Sequence, residues 1–422
     1  MLRAKKLTTS YLAAMQDMQT STSPRELFLR HVAQTSPAPL GLHIERAEGL
    51  YLYDCAGKSY LDLIAGIGPS LLGHRPLRVQ AAVQRQLDRY WHTLVFGEFV
   101  LSPQVEFATL LAAQLPGLDA VYFTNSGAEA TEGAMKLAKR YTGRPHFVAC
   151  RHAYHGSTQG AASLMAPTDF TLGFQPLLPG IHHIEFNSLA DLEKIDRQTA
   201  AVVVDTVQGE AGLRLPDPAW LSALRRRCDD TGALLILDEI QAGFGRTGTL
   251  FAFEQYGIVP DVLLLAKALG GGFPLGAFIA RREVMQVLTH DPVLGHITTF
   301  GGHPVSAAAG LETLKILLET DLLAQIPAKL ALFHRLLVHP AIREIRSIGL
   351  WLAVDLGNAA YVQRVIARCI AQGVITDWFL FNDRSLRIAP PLTIAEAEIR
   401  LACAVILEAI EGNRQLQATG NE

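Results

Sequence analysis

Short, continuous apolar runs recur from about residue 74 to residue 320, separated by stretches with a helical period. Runs of this kind, rich in β-branched residues and without alternation, are typical of strands buried on both faces of a parallel sheet. A helical period over residues 105–115 precedes the first run. The five runs are residues 121–123, 147–149, 201–204, 234–237 and 262–265. The pattern predicts a large α/β domain with a mainly parallel sheet covered on both faces.

The pattern changes on both sides of this region. Residues from about 24 to 72 alternate short apolar runs with turn residues, which predicts a small β-rich lobe. From about residue 325 helical and strand-like stretches mix again. We therefore expect residues 1–73 to form an N-terminal arm and part of a small α+β domain. Residues 74–324 would form the large domain, and residues 325–422 the C-terminal part of the small domain.

Composition and charge narrow the class of protein. The 422 residues are 49% hydrophobic, which is enough for one large core or for two cores. A formal net charge of −3 without a polybasic run argues against nucleic acid or an anionic membrane as a partner. No apolar stretch reaches the length of a membrane span.

The cysteines and the N-terminus bear on location. The five cysteines are an odd number without metal-ligand spacing, which favours free thiols in a reducing compartment and predicts no metal site. The first sixteen residues contain Arg3, Lys5 and Lys6 and no acid, as in a transit segment or an ordinary N-terminal arm. We expect the arm, and a cytoplasmic protein.

Two of the apolar runs end in residues that suit one kind of chemistry. Asp238 follows the run at 234–237, and Lys267 follows the run at 262–265 after one alanine. The spacing is that of a strand, a helix and the next strand, so both side chains would lie at one edge of the sheet. A lysine amine and a carboxylate suit a Schiff base to a cofactor whose ring nitrogen is kept protonated.

Each of these two residues also has a simpler interpretation. A carboxylate near the interior needs a cationic partner, which for Asp238 is a protonated ring nitrogen or a lysine or arginine of the core. Burial would lower the pKa of Lys267 towards that of a nucleophilic amine, whereas a lysine at a strand end often extends into solvent. Taken singly, the solvated lysine is the commoner case.

Other polar residues follow the remaining strands. Ser126, Gly127 and Ala128 begin a helix, where backbone N–H groups bind a phosphate or Ser126 serves as an ordinary N-cap. Tyr154, with His155 and Gly156 after it, would stack on a planar cofactor or pack within a loop.

Further positions are polar or cationic. Glu210 would face the site or solvent, and Gln241 has donors for a phenolate oxygen. Thr298 and Thr299 offer hydroxyls or form a simple turn. Arg387, between apolar neighbours, would bind a carboxylate in bidentate fashion or lie on a strand surface.

In this order along the chain, these motifs resemble those of the class III aminotransferases. Within that family, the chain resembles the acetylornithine, ornithine and 4-aminobutyrate aminotransferases, from roughly Pro39 to the last helix. Seven ordered motifs are far more specific than any one alone. They are Ser126-Gly127-Ala128-Glu129-Ala130, Tyr154-His155-Gly156, Val207-Gln208-Gly209-Glu210, Asp238-Glu239-Ile240-Gln241, Ala266-Lys267-Ala268-Leu269-Gly270-Gly271-Gly272, Thr299-Phe300-Gly301-Gly302 and Arg387-Ile388-Ala389-Pro390-Pro391.

The resemblance implies pyridoxal phosphate as cofactor and the fold type I architecture. Lys267 would form the Schiff base and shuttle a proton, and Asp238 would pair with the pyridine nitrogen. The resemblance also implies that Gln241 contacts the phenolic oxygen and that Tyr154 stacks on the ring, beside His155.

It further implies how phosphate and substrates are held. Gly127 and Ala128 would bind the phosphate by their backbone, with Ser126 nearby, and Thr299 would reach it from the neighbouring subunit of a homodimer. Arg387 would bind the α-carboxylate of the amino or 2-oxo acid. Glu210 would pair with Arg387 when the donor presents an ω-amine.

The chain departs from the family pattern at three places. Ser157 stands where relatives of this kind carry an arginine that binds a donor carboxylate, which puts carboxylate-anchored donors in doubt. Asp205 and Thr206 replace the usual Glu-Pro, which removes the fixed φ of proline. Residues 73–77 and Pro69 also differ from the pattern, and we attach no function to them.

The resulting hypothesis is an aminotransferase that moves an amino group from an ω-amino donor to a 2-oxo acid, with 2-oxoglutarate the expected acceptor. The alternatives are an aminomutase or racemase on the same fold, or a non-catalytic paralogue. The sequence does not name the amino donor.

Overall fold

The computed structural model describes residues 23–418. The basic residues Arg3, Lys5 and Lys6, which bear on the transit-segment interpretation, lie outside this range. The described residues form two compact units: residues 23–47 with 52–59, and residues 48–51 with 60–418. The expected boundaries near residues 73 and 324 stay predictions.

The first unit contains a short helix and parts of two strands. Helix α1 spans Pro24–His31, and strands β1 and β2 span Ile44–Glu48 and Tyr51–Asp54. A reciprocal capping box begins α1, because Ser23 Oγ accepts from the Glu26 N–H at 3.2 Å and Glu26 Oε2 accepts from the Ser23 N–H at 2.7 Å.

A seven-stranded sheet dominates the second unit, in the order β4-β10-β9-β8-β7-β5-β6. Strands β5 to β9 pair with one another in parallel, whereas β10 is antiparallel to β4 and β9. Its strands are β4 Ala120–Thr124, β5 His146–Cys150, β6 Ile181–Ile184, β7 Thr199–Asp205, β8 Leu234–Asp238, β9 Val262–Leu265 and β10 Gly276–Ala280. All five predicted runs are strands, and the predicted α/β class with a mainly parallel sheet is confirmed.

Helices connect these strands. The longer ones are α2 Leu77–Leu87, α3 Ser102–Ala112, α4 Gly127–Thr142, α7 Pro218–Thr231 and α9 Pro304–Glu319. The short ones are α5 Gln159–Ser163, α6 Asp169–Leu172 and α8 Arg282–Met285. Helix α3 begins three residues before the predicted start because Pro103 favours the first turn of a helix.

The last third of the chain forms a second sheet with the order β11-β12-β15-β14, and helices. Its strands are β11 Glu344–Ser347, β12 Leu352–Asp355, β14 Asp377–Phe379 and β15 Asn382–Ile388. Strand β13, Val374–Ile375, pairs in parallel with β3, Ser59–Asp62. The helices are α10 Leu322–Leu336, α11 Ala359–Ala371 and α12 Glu396–Ala418. Within residues 23–418, no helix is both long and apolar enough to cross a membrane.

Candidate active site

A cavity of ≈ 540 Å³ lies where several strands of the large sheet end. Its lining includes every predicted cofactor-binding residue except Thr299, and it also includes Glu210. A cavity of this size is typical of small-molecule and cofactor sites. Residues that are far apart in the sequence therefore converge on one space.

Lys267 enters this cavity directly after β9. Its φ is 49°, in the left-handed region that residues with a side chain rarely adopt. Burial lowers the pKa of the Lys267 amine; Glu210 opposes this shift and Arg387 adds to it. A strained backbone and a lowered amine pKa at one position are features of functional sites, so Lys267 has the properties of a nucleophilic amine.

Asp238 and His155 form a buried pair in the same cavity. His155 Nδ1 lies 2.7 Å from Asp238 Oδ2, and both side chains are almost completely buried. Burial lowers the pKa of His155, but Asp205 and Asp238 outweigh burial and raise it overall. Within residues 23–418, His155 Nε2 is buried without a hydrogen-bond partner. Asp238 Oδ1 also accepts from the Ile240 N–H at 2.9 Å, so the cavity contains a carboxylate that two partners orient.

The sequence missed how close Asp205 lies to this pair. Asp205 and Asp238 are direct neighbours in the parallel pairing of β7 and β8, and Asp205 lines the cavity. One ring nitrogen of His155 and one carboxylate oxygen from each of Asp205 and Asp238 all lie within 4.8 Å of one another. Burial raises the pKa of Asp205 to about 7; His155 opposes this shift and Asp238 adds to it.

Helix α4 begins at the cavity with Gly127 and Ala128. The first N–H groups of a helix have no partner within the helix, and the helix dipole favours an anion there. Ser126 is the N-cap, and its Oγ accepts from the Glu129 N–H at 3.2 Å. A Cβ at Gly127 would lie 2.8 Å from the Ile240 side chain, so glycine allows the close packing at this turn. The turn fits a phosphate, and Ser126 also serves as the cap.

Tyr154 and Gln241 complete the predicted cofactor contacts, and both are half-buried in the cavity wall. The Tyr154 hydroxyl lies 2.9 Å from Ser157 Oγ, so Ser157 presents a neutral hydroxyl beside Tyr154. Trp351 also lines the cavity and was not predicted. A Cβ at Gly209 would lie 2.4 Å from its ring.

Glu210 and Arg387 form a second buried pair. Arg387 Nη1 and Nη2 donate to the two carboxylate oxygens of Glu210, each at 2.9 Å. Burial raises the pKa of Glu210, but Arg387, the Leu380 N–H and Lys267 together outweigh burial, and the net pKa is below its ordinary value. Glu210 lines the cavity, whereas Arg387 is not part of the lining and is only 3% exposed. Glu210 therefore stands between the cavity and Arg387.

Thr299 does not line the cavity of its own chain. It is exposed, in a segment where Thr298 Oγ1 accepts from the Gly301 N–H at 3.0 Å. Its predicted contact with a neighbouring subunit's phosphate stays a prediction.

The lining fits pyridoxal phosphate by its own chemistry. It offers a helix N-terminus for a phosphate, an amine of lowered pKa for an aldehyde, and a buried carboxylate for a ring nitrogen.

Comparisons with known proteins agree with this fit. The chain is 37% identical over 379 residues to acetylornithine aminotransferase of Archaeoglobus fulgidus, covering 90% of this chain and 98% of that protein. It is 39% identical over 372 residues to that of Methanopyrus kandleri, covering 87% and 93%. A solved ornithine aminotransferase from Toxoplasma gondii, with pyridoxal phosphate at partial occupancy in its active site, has a TM-score of 0.86 and 30% identity. That comparison covers 96% of this chain and 98% of the other.

The family model of class III aminotransferases matches residues 32–410, which is most of the chain. The predicted family and the predicted cofactor, pyridoxal phosphate, are confirmed. The chain belongs to the class III aminotransferases and is a pyridoxal-phosphate-dependent enzyme.

Proposed function

We propose that this enzyme transfers an amino group from an ω-amino donor to a 2-oxo acid, with 2-oxoglutarate as the expected acceptor. The observation that carries the proposal is the Glu210–Arg387 pair beside Lys267. A site that serves both substrates must bind an α-carboxylate next to the reacting carbon of the 2-oxo acid. In the other half-reaction it must accept an ω-amino donor whose reacting carbon carries no carboxylate. Arg387 meets both needs if Glu210 is paired with it in one half-reaction and separated from it in the other.

Lys267 and Asp238 carry the chemistry in this proposal. Pyridoxal phosphate, when bound, supplies the aldehyde that takes up the amine and the ring that withdraws electrons from the bond that breaks. Lys267 Nζ would hold the cofactor and then move a proton at the amine-bearing carbon of the substrate, which the lowered pKa of its amine supports. Asp238, oriented by His155, would keep a negative charge at the ring nitrogen.

The remaining lining residues would orient the cofactor. The N–H groups of Gly127 and Ala128 would bind the phosphate, with the cap Ser126 beside them. Tyr154 would lie on the ring face, and Gln241 would donate to its phenolic oxygen. All of these side chains and backbone groups lie in the cavity wall, which supports the assignment.

Glu210 and Arg387 would select the substrate in each half-reaction. With an ω-amino donor, Glu210 would keep Arg387 neutralised, as in the present geometry. With a 2-oxo acid, Glu210 would withdraw and Arg387 would bind the α-carboxylate through two parallel hydrogen bonds.

We also propose a homodimer in which Thr299 reaches the phosphate in the partner's site. An apolar groove supports this proposal, since Phe99, Val100 and Val105 are exposed and line it together with Thr298 and Gly301. Measurement of the mass in solution tests the dimer, and a monomer with full activity would contradict it. A cytoplasmic location is supported by the free cysteines, four of which are buried.

A panel of substrates tests the proposed reaction. Ornithine, N-acetylornithine, 4-aminobutyrate and 1,4-diaminobutane would each be paired with 2-oxoglutarate or pyruvate, and the amino-acid product measured. We expect glutamate to form only when donor and acceptor are both present. Conversion of one amine into its isomer or enantiomer without an acceptor would indicate an aminomutase or racemase instead.

A further inference from the structure

Arg387 has a second group of contacts that does not involve Glu210. We call these the β14 contacts: Asp377, Trp378 and Phe379. The Trp378 carbonyl accepts from Arg387 Nη2 at 2.7 Å, and the Phe379 ring centroid lies 4.5 Å from the Arg387 Cζ. Asp377 Oδ1 lies 3.0 Å from Arg387 Nε. The guanidinium is therefore held on one edge and one face by a single strand.

The β14 contacts are fixed by the pairing of the sheet. Strand β14 is antiparallel to β15, and Asp377 is the direct partner of Arg387 in that pairing. Asp377 and Arg387 therefore belong to one rigid ladder, and their side chains stay neighbours in any state that keeps the sheet intact.

Glu210 is attached differently. It follows β7 of the large sheet, and it is hydrogen-bonded to Arg387 and to the segment just after β14. There its Oε2 accepts from the Leu380 N–H at 3.0 Å, and its carbonyl accepts from the Phe381 N–H at 2.9 Å. Glu210 also faces the cavity, so an incoming carboxylate competes with Glu210 and not with the β14 contacts.

The carboxylate of Asp377 is important because it lies against the buried positive charge of Arg387. Arg387 is 3% exposed, and a buried cation without a partner costs several kcal/mol. When Glu210 withdraws, Asp377 is the carboxylate that still lies against the guanidinium. In the described part of the chain, Arg387 Nε and Asp377 Oδ1 have no directed hydrogen bond despite their 3.0 Å separation, so this contact acts through charge. Burial raises the pKa of Asp377 to about 7, Arg387 opposes this shift and Glu210 adds to it, so withdrawal of Glu210 favours the charged carboxylate.

We propose that Asp377 is a positioning residue that keeps Arg387 in place while Glu210 exchanges with the carboxylate of the 2-oxo acid. The inference rests on the proposed exchange at Arg387. The two carboxylates then have different roles, since Glu210 is the exchangeable partner of the guanidinium and Asp377 is the permanent one. Asp377 would affect the half-reaction of the 2-oxo acid and leave that of the ω-amino donor unchanged.

The test compares the two half-reactions of Asp377→Asn, which keeps the shape of the side chain and removes its charge. The donor half-reaction is followed by absorbance with whichever of ornithine, N-acetylornithine, 4-aminobutyrate and 1,4-diaminobutane reacts fastest. The second half-reaction is followed with 2-oxoglutarate. We expect the half-saturating 2-oxoglutarate concentration to rise about tenfold, with the donor half-reaction within about twofold of wild type.

Asp355→Asn is the matched control. Asp355 is a buried aspartate of the same sheet, 3.1 Å from Arg384 and 3.6 Å from Arg346, and it does not touch Arg387. The control is expected to lower thermal stability without separating the two half-reactions. If Asp377→Asn does not fold, Asp377→Glu replaces it, and a smaller rise in the same direction is expected.

Two outcomes overturn the inference: equal losses in both half-reactions, or unchanged or tighter use of 2-oxoglutarate. Arg387→Ala separates this failure from failure of the proposed function. If Arg387→Ala leaves the 2-oxoglutarate half-reaction intact, the exchange itself is wrong. If Arg387→Ala abolishes it and the Asp377 variants do not affect it, only the role of Asp377 is wrong.

Discussion

Two buried charge pairs differ in how they are built. His155 and Asp238 lie 2.7 Å apart; Asp238 ends β8 and His155 follows β5 of the same large sheet, with β7 between these two strands. Glu210 and Arg387 are joined by two bonds of 2.9 Å, yet they come from different sheets. The first pair lies wholly in the cavity wall, whereas in the second only Glu210 faces the cavity.

The difference indicates which pair is permanent. A carboxylate oriented within one sheet suits a resident cofactor, because its geometry does not depend on the substrate. A pair that joins two sheets at the cavity suits exchange, because Glu210 can withdraw while the second sheet keeps Arg387 in place. Changes at the first pair should therefore affect both half-reactions, and changes at the second only one.

The largest expected effect is that of Asp238→Asn. Removing this charge should slow both half-reactions by on the order of 10³, since fixed charges at a reacting centre contribute about that much. Single-turnover absorbance measurements with donor and with 2-oxoglutarate check it. A loss confined to one half-reaction would contradict the claim that the His155–Asp238 pair serves both half-reactions.

Arg387→Ala should have the next largest effect. We expect a loss of about 10² in the 2-oxoglutarate half-reaction, because a buried carboxylate loses its bidentate partner. The donor half-reaction should change far less. Arg384→Ala, an exposed arginine of the same strand, is the control. Equal activity of Arg387→Ala and wild type with 2-oxoglutarate would refute the proposed role of Arg387.

His155→Gln should act more weakly and on both half-reactions. The loss of a hydrogen bond to a charged group is worth about 1.5 kcal/mol, or roughly tenfold. Single-turnover rates of the two half-reactions, measured separately with donor and with 2-oxoglutarate, check this. An effect on 2-oxoglutarate alone would place His155 with the second pair instead.

Glu239→Gln should have the smallest effect on the reaction and a distinct effect on stability. Glu239 is buried beside Asp238, does not line the cavity, and accepts from the Ala252 and Phe253 N–H groups at 2.7 Å each. Burial raises the pKa of Glu239 from 4.5 to about 7, although these N–H groups lower it. Between these values the folded state keeps a proton that the unfolded state releases, so stability falls as pH rises.

The contribution of this one group is about 3 kcal/mol at most, at 1.36 kcal/mol for each pKa unit. Urea unfolding at pH 4.5 and pH 7.5 should therefore show a smaller difference for Glu239→Gln than for wild type. Both half-reactions should stay within about twofold of wild type. An identical pH dependence in the two proteins would contradict the assignment.

The sequence predicted those strands that have a recognisable local pattern of apolar residues. Continuous apolar runs mark β4, β5, β7, β8 and β9 because both faces of these strands are buried. Strand β6 was not predicted, since Ile181-His182-His183-Ile184 has polar residues at its centre. Strand β10 was not predicted either, because it begins shortly after the glycine-rich turn at residues 270–272 and contains small residues.

In the candidate active site, too, only the residues that follow from local sequence pattern were predicted. Lys267, Asp238 and the start of α4 were found because ligands collect where parallel strands end. Asp377 and Trp351 were not, because their contacts depend on how β14 pairs with β15 and on the packing of Trp351 against Gly209. Asp205 was noticed only as a departure from a motif, since its proximity to His155 follows from strand register.

The central claim is that Lys267 holds the cofactor. Reduction of the yellow holoenzyme with borohydride, followed by digestion and mass spectrometry, tests it most directly. We expect one modified peptide, with the cofactor on Lys267 Nζ, and none in Lys267→Ala. Cofactor attached to another lysine, or a protein that stays colourless with added pyridoxal phosphate, would contradict it.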